Sequence, residues 1–211
     1  MKTLEQIIQS CISSVQGGSF TDEANIYDGK YAERIHEARA NVLRDKYMQN
    51  KFVNPDWIQR YYPQYDEYMQ DGRCVVKFKC PGFLDLGSRD GLMYVGSEDC
   101  PISFNRVMSI ADLATLRSHG IYARNRVVVL YENGYLYIYS NRVIKDPMVA
   151  GVFSRPTDVP SFNDTKDNYP VDPQSCMMIE DVIVQRQLMT EIRTPNDGVS
   201  DSSSPSINQP K

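Results

Sequence analysis

The amino-acid sequence predicts an α+β fold, in which N-terminal and C-terminal helices form a helical bundle and a small antiparallel β region is inserted between them. Amphipathic helical patterns occur before residue 60 and after residue 172. Between them the chain changes to β-branched and aromatic residues separated by Asn-Gly and Pro-Gly pairs, which are typical of short strands and turns. At 211 residues the chain is long enough for one domain with a sizeable core.

Two helices are predicted before residue 60 from apolar residues that recur three and four positions apart. Asn54-Pro55 disfavours helical geometry after the second helix, and Asn54 is suited to cap a new turn beginning at Pro55. Trp57, the only tryptophan, is then held near this junction. The first helix has an apolar stripe of Leu4, Ile7, Ile8, Cys11, Ile12 and Val15, ended by Gly17-Gly18. The second, from about residue 25 to residue 49, has Tyr31, Ile35, Ala38 and Val42 on one face.

A tyrosine-rich, acidic segment follows the tryptophan and has no clean period. Tyrosine supplies contact area at a low entropic cost. The segment is therefore either an interface or a loop folded over the chain's own core, and both interpretations stay open. Its members are Tyr61, Tyr62, Tyr65 and Tyr68, with Asp66 and Glu67.

The middle third predicts the β region. Its clearest element is a hairpin in which Asn133-Gly134 separates Val127 to Tyr131 from Tyr135 to Tyr139, because an Asn-Gly pair supplies the positive φ angles of a tight turn. A helical turn is expected near Ser109 to Leu116. Further strands are predicted around Val75 to Phe78, at Leu92 to Val95 and at Met148 to Phe153.

The C-terminal third predicts a connector, a helix and a tail. Asp172-Pro173 opens the helix by combining a cap with a proline, and Thr194-Pro195 closes it. The tail has few apolar side chains and cannot fold alone. We therefore divide the chain into a helical part (1–60), an inserted β region (61–156), a connector with the C-terminal helix (157–194) and a flexible tail or docking arm (195–211).

Composition argues against several classes of protein. The formal net charge of -4 argues against an overall electrostatic grip on nucleic acid. The amino-terminal apolar stretch is interrupted by polar residues, so neither a signal peptide nor a membrane span is expected. Scattered cysteines in odd number are expected to be reduced thiols; they are Cys11, Cys74, Cys80, Cys100 and Cys176.

No recognisable catalytic device occurs in the sequence. The only histidines are His36, expected to be solvated or to act as a cap, and His119, expected at a helix stop. The segment DLGSRDG does not match a phosphate-binding loop. We therefore predict no enzyme activity, catalytic residue, cofactor or metal. The acids expected to be solvated loop carboxylates, rather than a magnesium site, are Asp85, Asp90, Glu98 and Asp99.

An ordered set of segments resembles a known family. AERIHEARANVLRDKY is followed by NPDWIQRYY, by the hairpin ending in NGYLYIYS, by GVFSRP and by QRQLMTEIRTPND. This set, over about residues 25–197, resembles the head-to-tail connector proteins (neck and tail ring proteins, or portal adaptors) of crAss-like and related tailed phages of Bacteroidetes. The sequence differs from the family pattern in a longer tyrosine-rich insertion from Tyr61 to Gly72.

The resemblance implies a ring of about twelve identical subunits below the portal. Its partners would be the portal protein and adjacent tail or ring proteins, with genomic DNA passing through the lumen and no membrane involved. It implies location in the virion at the head-to-tail junction, after assembly in the host cytoplasm. Mapped onto this chain, it assigns a hinge to Asn54 and Pro55, and subunit packing or an interface to Arg34, Arg39, Val42, Tyr47, Trp57, Val182 and Met189.

Two other classes stay open. A DNA-binding accessory protein of the virion would use the basic face of helix 25–50, because arginines at this spacing can follow phosphates. An enzyme, such as a lytic or nuclease component, would depend on His36 or His119. The arginines of the basic face are Arg34, Arg39 and Arg44, and the acids expected to pair with them along the same helix are Glu33, Glu37 and Asp45.

Overall fold

Two β-sheets, rather than a helical bundle, organise this chain. The computed structural model describes residues 1–15, 24–97, 100–102, 104–107, 109–118 and 127–193. Across those residues it contains one four-stranded and one five-stranded sheet. The predicted fold class, a helical bundle with a small β insert, is therefore wrong, because the β content is substantial and the sheets have a core of their own.

Three of the four helices, the first, second and fourth in the chain, pack on one another and form a layer. The third helix lies against the five-stranded sheet. No described helix is both long enough and apolar enough to cross a membrane. The helices are α1 (Leu4–Val15), α2 (Ala24–Asn50), α3 (Ile110–Ser118) and α4 (Pro173–Arg193).

The strands of the two sheets alternate along the chain. Sheet A contains β1 (Gln59–Tyr61), β4 (Leu92–Ser97), β5 (Cys100–Pro101) and β9 (Pro147–Gly151). Sheet B contains β2 (Asp66–Gln70), β3 (Arg73–Lys79), β6 (Phe104–Val107), β7 (Val127–Glu132) and β8 (Tyr135–Ser140). The strand order is β1-β9-β4-β5 in sheet A and β2-β3-β8-β7-β6 in sheet B. Pairing is antiparallel except between β6 and β7, which are parallel.

Two tight turns set the register of sheet B. Asn133 (φ 50°) and Gly134 (φ 78°) join β7 to β8, which confirms the predicted hairpin. Asp71 (φ 52°) and Gly72 (φ 74°) join β2 to β3 in the same way. The tyrosine-rich segment is therefore not only a loop, because it includes Tyr61, the last residue of β1, and the first strand of a second hairpin.

Three apolar clusters hold these layers together. The first lies in the helical layer and includes Trp57, Leu86 and Tyr169. The second lies between the sheets and includes Val76 of β3. The third lies under α3, on the other face of sheet B, and includes Val75. Sheet B is thus covered on both faces, which explains why β7 has a continuous apolar run instead of a strict alternation.

Most of the predicted helices are confirmed. Helix α2 runs within one residue of the predicted bounds, and α3 falls where a helical turn was expected. Helix α4 begins at Pro173, with the Ser175 amide donating to Asp172 Oδ1 at 2.9 Å. The division of the chain into four parts stays a prediction; the helical cluster also takes in Leu84 and Val152, which lie within the predicted β region.

Candidate assembly surface

The basic residues of α2 bind partners on other elements. Arg44 pairs with Asp85 at 2.6 Å, and Arg34 donates to Gln187 Oε1 of α4. Glu33, expected to pair along the helix, instead pairs with Arg155 at 2.6 Å. These contacts join α2 to its surroundings, so much of the basic face is used within the chain.

Arg39 lies in the interior of the subunit. Its side chain is 0% exposed, its Nε donates to the Pro170 carbonyl at 3.1 Å, and its Nη1 donates to the Phe153 carbonyl at 2.9 Å. The guanidinium lies 5.7 Å from the centre of the Tyr169 ring, and Nη2 has no hydrogen-bond partner among the described residues. Burial lowers the pKa of Arg39. Arg39 therefore joins α2 to the end of sheet A and to the connector within the chain.

His36 is also buried, so its expected solvated or capping role is wrong. It is 6% exposed, and a hydrogen bond of 2.8 Å joins Nδ1 to the Tyr169 hydroxyl. Burial, with smaller effects of Arg39 and Arg155, lowers the pKa of His36 to about 4. The imidazole is therefore neutral at pH 7 and acts as a hydrogen-bonding group of the core. His119 lies outside the described residues.

Asp172 joins three parts of the helical layer. Its Oδ2 accepts from Trp57 Nε1 at 2.8 Å and from Ser175 Oγ at 2.5 Å, and its Oδ1 lies 3.3 Å from Lys46 Nζ. Burial acts to raise the pKa of Asp172, but hydrogen bonds from Ser175, Trp57 and Lys46 outweigh it and lower the pKa to about 2. One carboxylate thus caps α4 and fixes the tryptophan beside α2.

The predicted hinge forms a capped turn. Asn54 Oδ1 accepts from the Asp56 amide at 3.0 Å, and Pro55–Trp57 is a single 3₁₀ turn. The cap is confirmed. Strand β1 begins two residues after the buried Trp57, so the turn lies between the helical layer and sheet A. Movement at Asn54 and Pro55 stays a prediction.

The structure brings most of the predicted interface residues together inside one chain. Val42, Tyr47 and Trp57 belong to the same buried cluster, and Val182 packs partly buried against it. Arg34 is exposed on α2, and the side chain of Met189 lies outside the described residues. An interface role for these residues stays a prediction, since what they do within the chain is to hold the helical layer together.

Several large apolar side chains are exposed on the surface at positions that the helical pattern of the sequence did not predict. They lie outside the apolar stripes, at the end of α2, on α4 and on β2. In the sequence, a methionine outside the apolar stripe of an amphipathic helix indicates such an exposed apolar side chain. The most exposed in these regions are Phe52 (62%), Met177 (66%) and Met69 (70%).

The described residues contain no group of acids, histidines and cysteines that could hold a metal ion. Cys74 and Cys80 lie in the same core cluster, as the strand alternation predicted. Burial raises the pKa of the Cys11 and Cys80 thiols to about 12, so these thiols stay protonated. Asp85 pairs with Arg44 but stays exposed to solvent, as expected, whereas Asp90 pairs with Arg106 and is largely covered, so its expected solvated role is wrong. Glu98, Asp99 and the side chain of Cys100 lie outside the described residues.

A family model described as phage tail ring protein 2 matches residues 6–209. This match covers nearly the whole chain and confirms the resemblance to ring proteins of crAss-like phages. No curated protein matches the chain at a significant level.

Proposed function

We propose that this chain, which belongs to the family of phage tail ring protein 2, forms a ring that connects the portal to further tail components and surrounds the channel for DNA. Membership of that family makes it a structural tail protein of the virion. The head-to-tail position, the portal contact and a copy number of about twelve are the proposed refinements.

The family match over residues 6–209 carries this proposal. The geometry supports it, because the polar groups of the helical layer hold its parts together instead of forming a reactive cleft. Arg39, Asp172 and His36 each join different segments. These contacts give the subunit a helical layer held by its own polar groups, as a structural component requires.

The charges support passage of DNA rather than retention. The chain has a formal net charge of -4, and a strongly basic lumen would hold DNA by counterion release. The alternative, a DNA-binding accessory protein that uses helix 25–50, has less support. Arg39 is buried and Arg44 is paired with Asp85, so the proposed basic face loses much of its free charge.

Electron microscopy of the purified chain, alone and mixed with the portal protein, tests the proposal. We expect closed rings that stack coaxially on the portal, and the same density in virions at the head-to-tail junction. A ring located elsewhere in the tail would contradict the connector role. Tight, salt-dependent DNA binding that is lost on replacing Arg34 and Arg44 with Ala would favour the DNA-binding alternative.

A further inference from the structure

Within the described part of the chain, sheet B ends in two edge strands that differ from each other. Among the described residues, β2 pairs only with β3 and β6 pairs only with β7. All five residues of β2 are exposed. A free edge presents unpaired backbone groups that can take up another strand. Two different edges at opposite ends of one sheet also satisfy the requirement of a cyclic ring, in which each subunit offers a different surface to each neighbour.

The turns show which backbone groups of β2 are free. In a two-residue hairpin, the residues that flank the turn form a hydrogen-bonded pair, and such pairs alternate along the strands. Gln70 and Arg73 flank the Asp71-Gly72 turn, so Gln70, Tyr68 and Asp66 direct their N–H and C=O groups toward β3. The N–H and C=O groups of Glu67 and Met69 therefore point away from the sheet.

At the other edge, the Asn133-Gly134 turn shows which backbone groups of β6 are free. Glu132 and Tyr135 flank the Asn133-Gly134 turn, so Val129 directs its backbone groups toward β6. In the parallel pairing these groups bond to the residues on either side of Arg106. Phe104 and Arg106 consequently present their backbone groups to an incoming strand.

A cavity of about 610 Å³ lies beside this second edge. It combines an apolar wall with two arginines and one acid. Arg106 pairs with Asp90, yet its Nε is buried without a hydrogen-bond partner among the described residues. The cavity therefore has one positive charge more than its carboxylate balances. The lining side chains include Arg89, Asp90, Leu92, Ile102, Phe104 and Arg106.

We propose that β2 of one copy pairs with β6 of the next copy, so that sheet B continues from subunit to subunit around the ring. This inference rests on the proposed ring assembly. In a ring of many copies, the rotation between neighbours is small, so strand direction and sheet face are nearly kept. Strands β2 and β6 run in opposite directions within one sheet B, because three antiparallel steps and one parallel step separate them. The new pair is therefore antiparallel.

The side chains fit this arrangement. Glu67 and Met69 lie opposite Val76 and Cys74, which face the core between the sheets. Arg106 lies opposite Val129 of the same core, so both edges present these side chains on one face. The register that places Glu67 opposite Arg106 also places Met69 opposite Phe104. It supplies a carboxylate to the excess positive charge and an apolar side chain to the apolar wall.

The charges also argue against pairing of β2 with a second β2. Strand β2 contains two acids and no basic residue, so a second β2 supplies no cation to Glu67, and the register that places Glu67 opposite Glu67 brings like charges together. A basic edge is the complementary partner.

Charge reversal tests the predicted register. Glu67→Arg should lower ring formation by the purified chain at least tenfold, measured by the fraction of rings in mass photometry. Adding Arg106→Glu together with Asp90→Asn should recover most of it, because Asp90 pairs with Arg106 within the chain and would repel the new carboxylate. Asp66→Arg is the matched control, because it lies on the same strand with its side chain on the opposite face, and it should change ring formation less than twofold. Equal effects of Glu67→Arg and Asp66→Arg would overturn the proposed register.

Cross-linking tests the contact itself in assembled rings. A chain with both Met69→Cys and Phe104→Cys, treated with a short bismaleimide, should give a ladder of covalent oligomers on a denaturing gel. With Cys100 replaced by Ser in every variant, each single variant should give none, since the other four cysteines are buried. Rings seen by microscopy without a ladder overturn this inference alone. Absence of rings both in solution and on the portal overturns it together with the proposed function.

Discussion

The helical layer and sheet B use polar residues in opposite ways. In the helical layer, Arg39, His36 and Asp172 are buried and bound to groups of the same chain. In sheet B the apolar residues fill both faces, whereas charged and apolar side chains of β2 stand exposed at its edge. The polar groups of the helical layer form their hydrogen bonds within the subunit, whereas the edge of sheet B presents groups that a neighbouring subunit can bind.

This difference separates stability from assembly. Removal of a buried polar side chain from the helical layer should destabilise the subunit, because it leaves that side chain's partners unsatisfied. Changes at the edge of β2 should leave the subunit folded and affect only the ring. Four predictions test this separation.

Replacing Arg39 with Ala should have the largest effect. It leaves the Phe153 and Pro170 carbonyls buried without a donor and creates a cavity. We expect the free energy of unfolding to fall by about 4 kcal/mol, measured from the denaturant midpoint. Arg34→Ala, at an exposed position on the same helix, should cost less than about 1 kcal/mol. Equal midpoints for the two variants would show that Arg39 does not brace the layer.

His36 should make stability depend on pH. Its pKa is lowered from 6.5 to about 4 in the folded chain, so between these values the unfolded chain binds the additional proton. Stability should therefore fall as the pH decreases from 6.5 to 4, by no more than about 3 kcal/mol. In His36→Gln this part of the pH dependence should disappear. A variant with the same slope as the original chain would assign the effect to another group.

Replacing Asp172 with Ala should cost about 2 kcal/mol, because α4 loses its cap and Trp57 loses its hydrogen-bond acceptor. Trp57→Phe removes the hydrogen bond to Asp172 and leaves the cap of α4 in place. A double-mutant cycle in denaturant should show coupling between the two positions. Since the pKa of Asp172 is lowered to about 2, its contribution should be complete above about pH 4 and be lost as the pH falls toward 2. Additive costs would mean that the two side chains act independently.

The smallest effect is expected in the β2–β3 hairpin. Gly72 has φ +74° with no atom within 4 Å of an added Cβ, so Gly72→Ala should cost about 1 kcal/mol through backbone strain alone. Gly29→Ala, in α2 and equally open, should instead stabilise the chain by about 0.5–1 kcal/mol, because Ala favours helix. Hydrogen exchange should show the loss of protection confined to the hairpin. Loss that spreads to α2 would contradict the separation of the two regions.

Local patterns predicted most of the helices and the clearest hairpin. The bounds of α2, the proline that begins α4 and the turn at Asn133-Gly134 depend on residues close together in the chain. The hairpin at Asp71-Gly72 carries an equally local signal. It was missed because the tyrosines before it lack a strict alternation.

Local patterns did not predict that polar residues of α2 are buried in the candidate site. The spacing of Arg39 and His36 placed them on a polar face, and a polar face of a helix is ordinarily solvated. Helix α2 instead packs against more than one element, so part of that face is buried under the Pro170 and Phe153 segments. Burial of a polar residue depends on what covers it, and the covering residues are more than one hundred positions away.

The sequence by itself determined where helices begin and end, where tight turns occur and to which family the chain belongs, because these depend on local residue order. Only the tertiary structure decided that the strands form two sheets and that β1 pairs with β9, almost at the other end of the β region. It also decided that β2 and β6 end sheet B. The physical reason is that strand pairing satisfies backbone groups, which are alike in every residue, so the choice among distant partners is made by the packing of the whole chain.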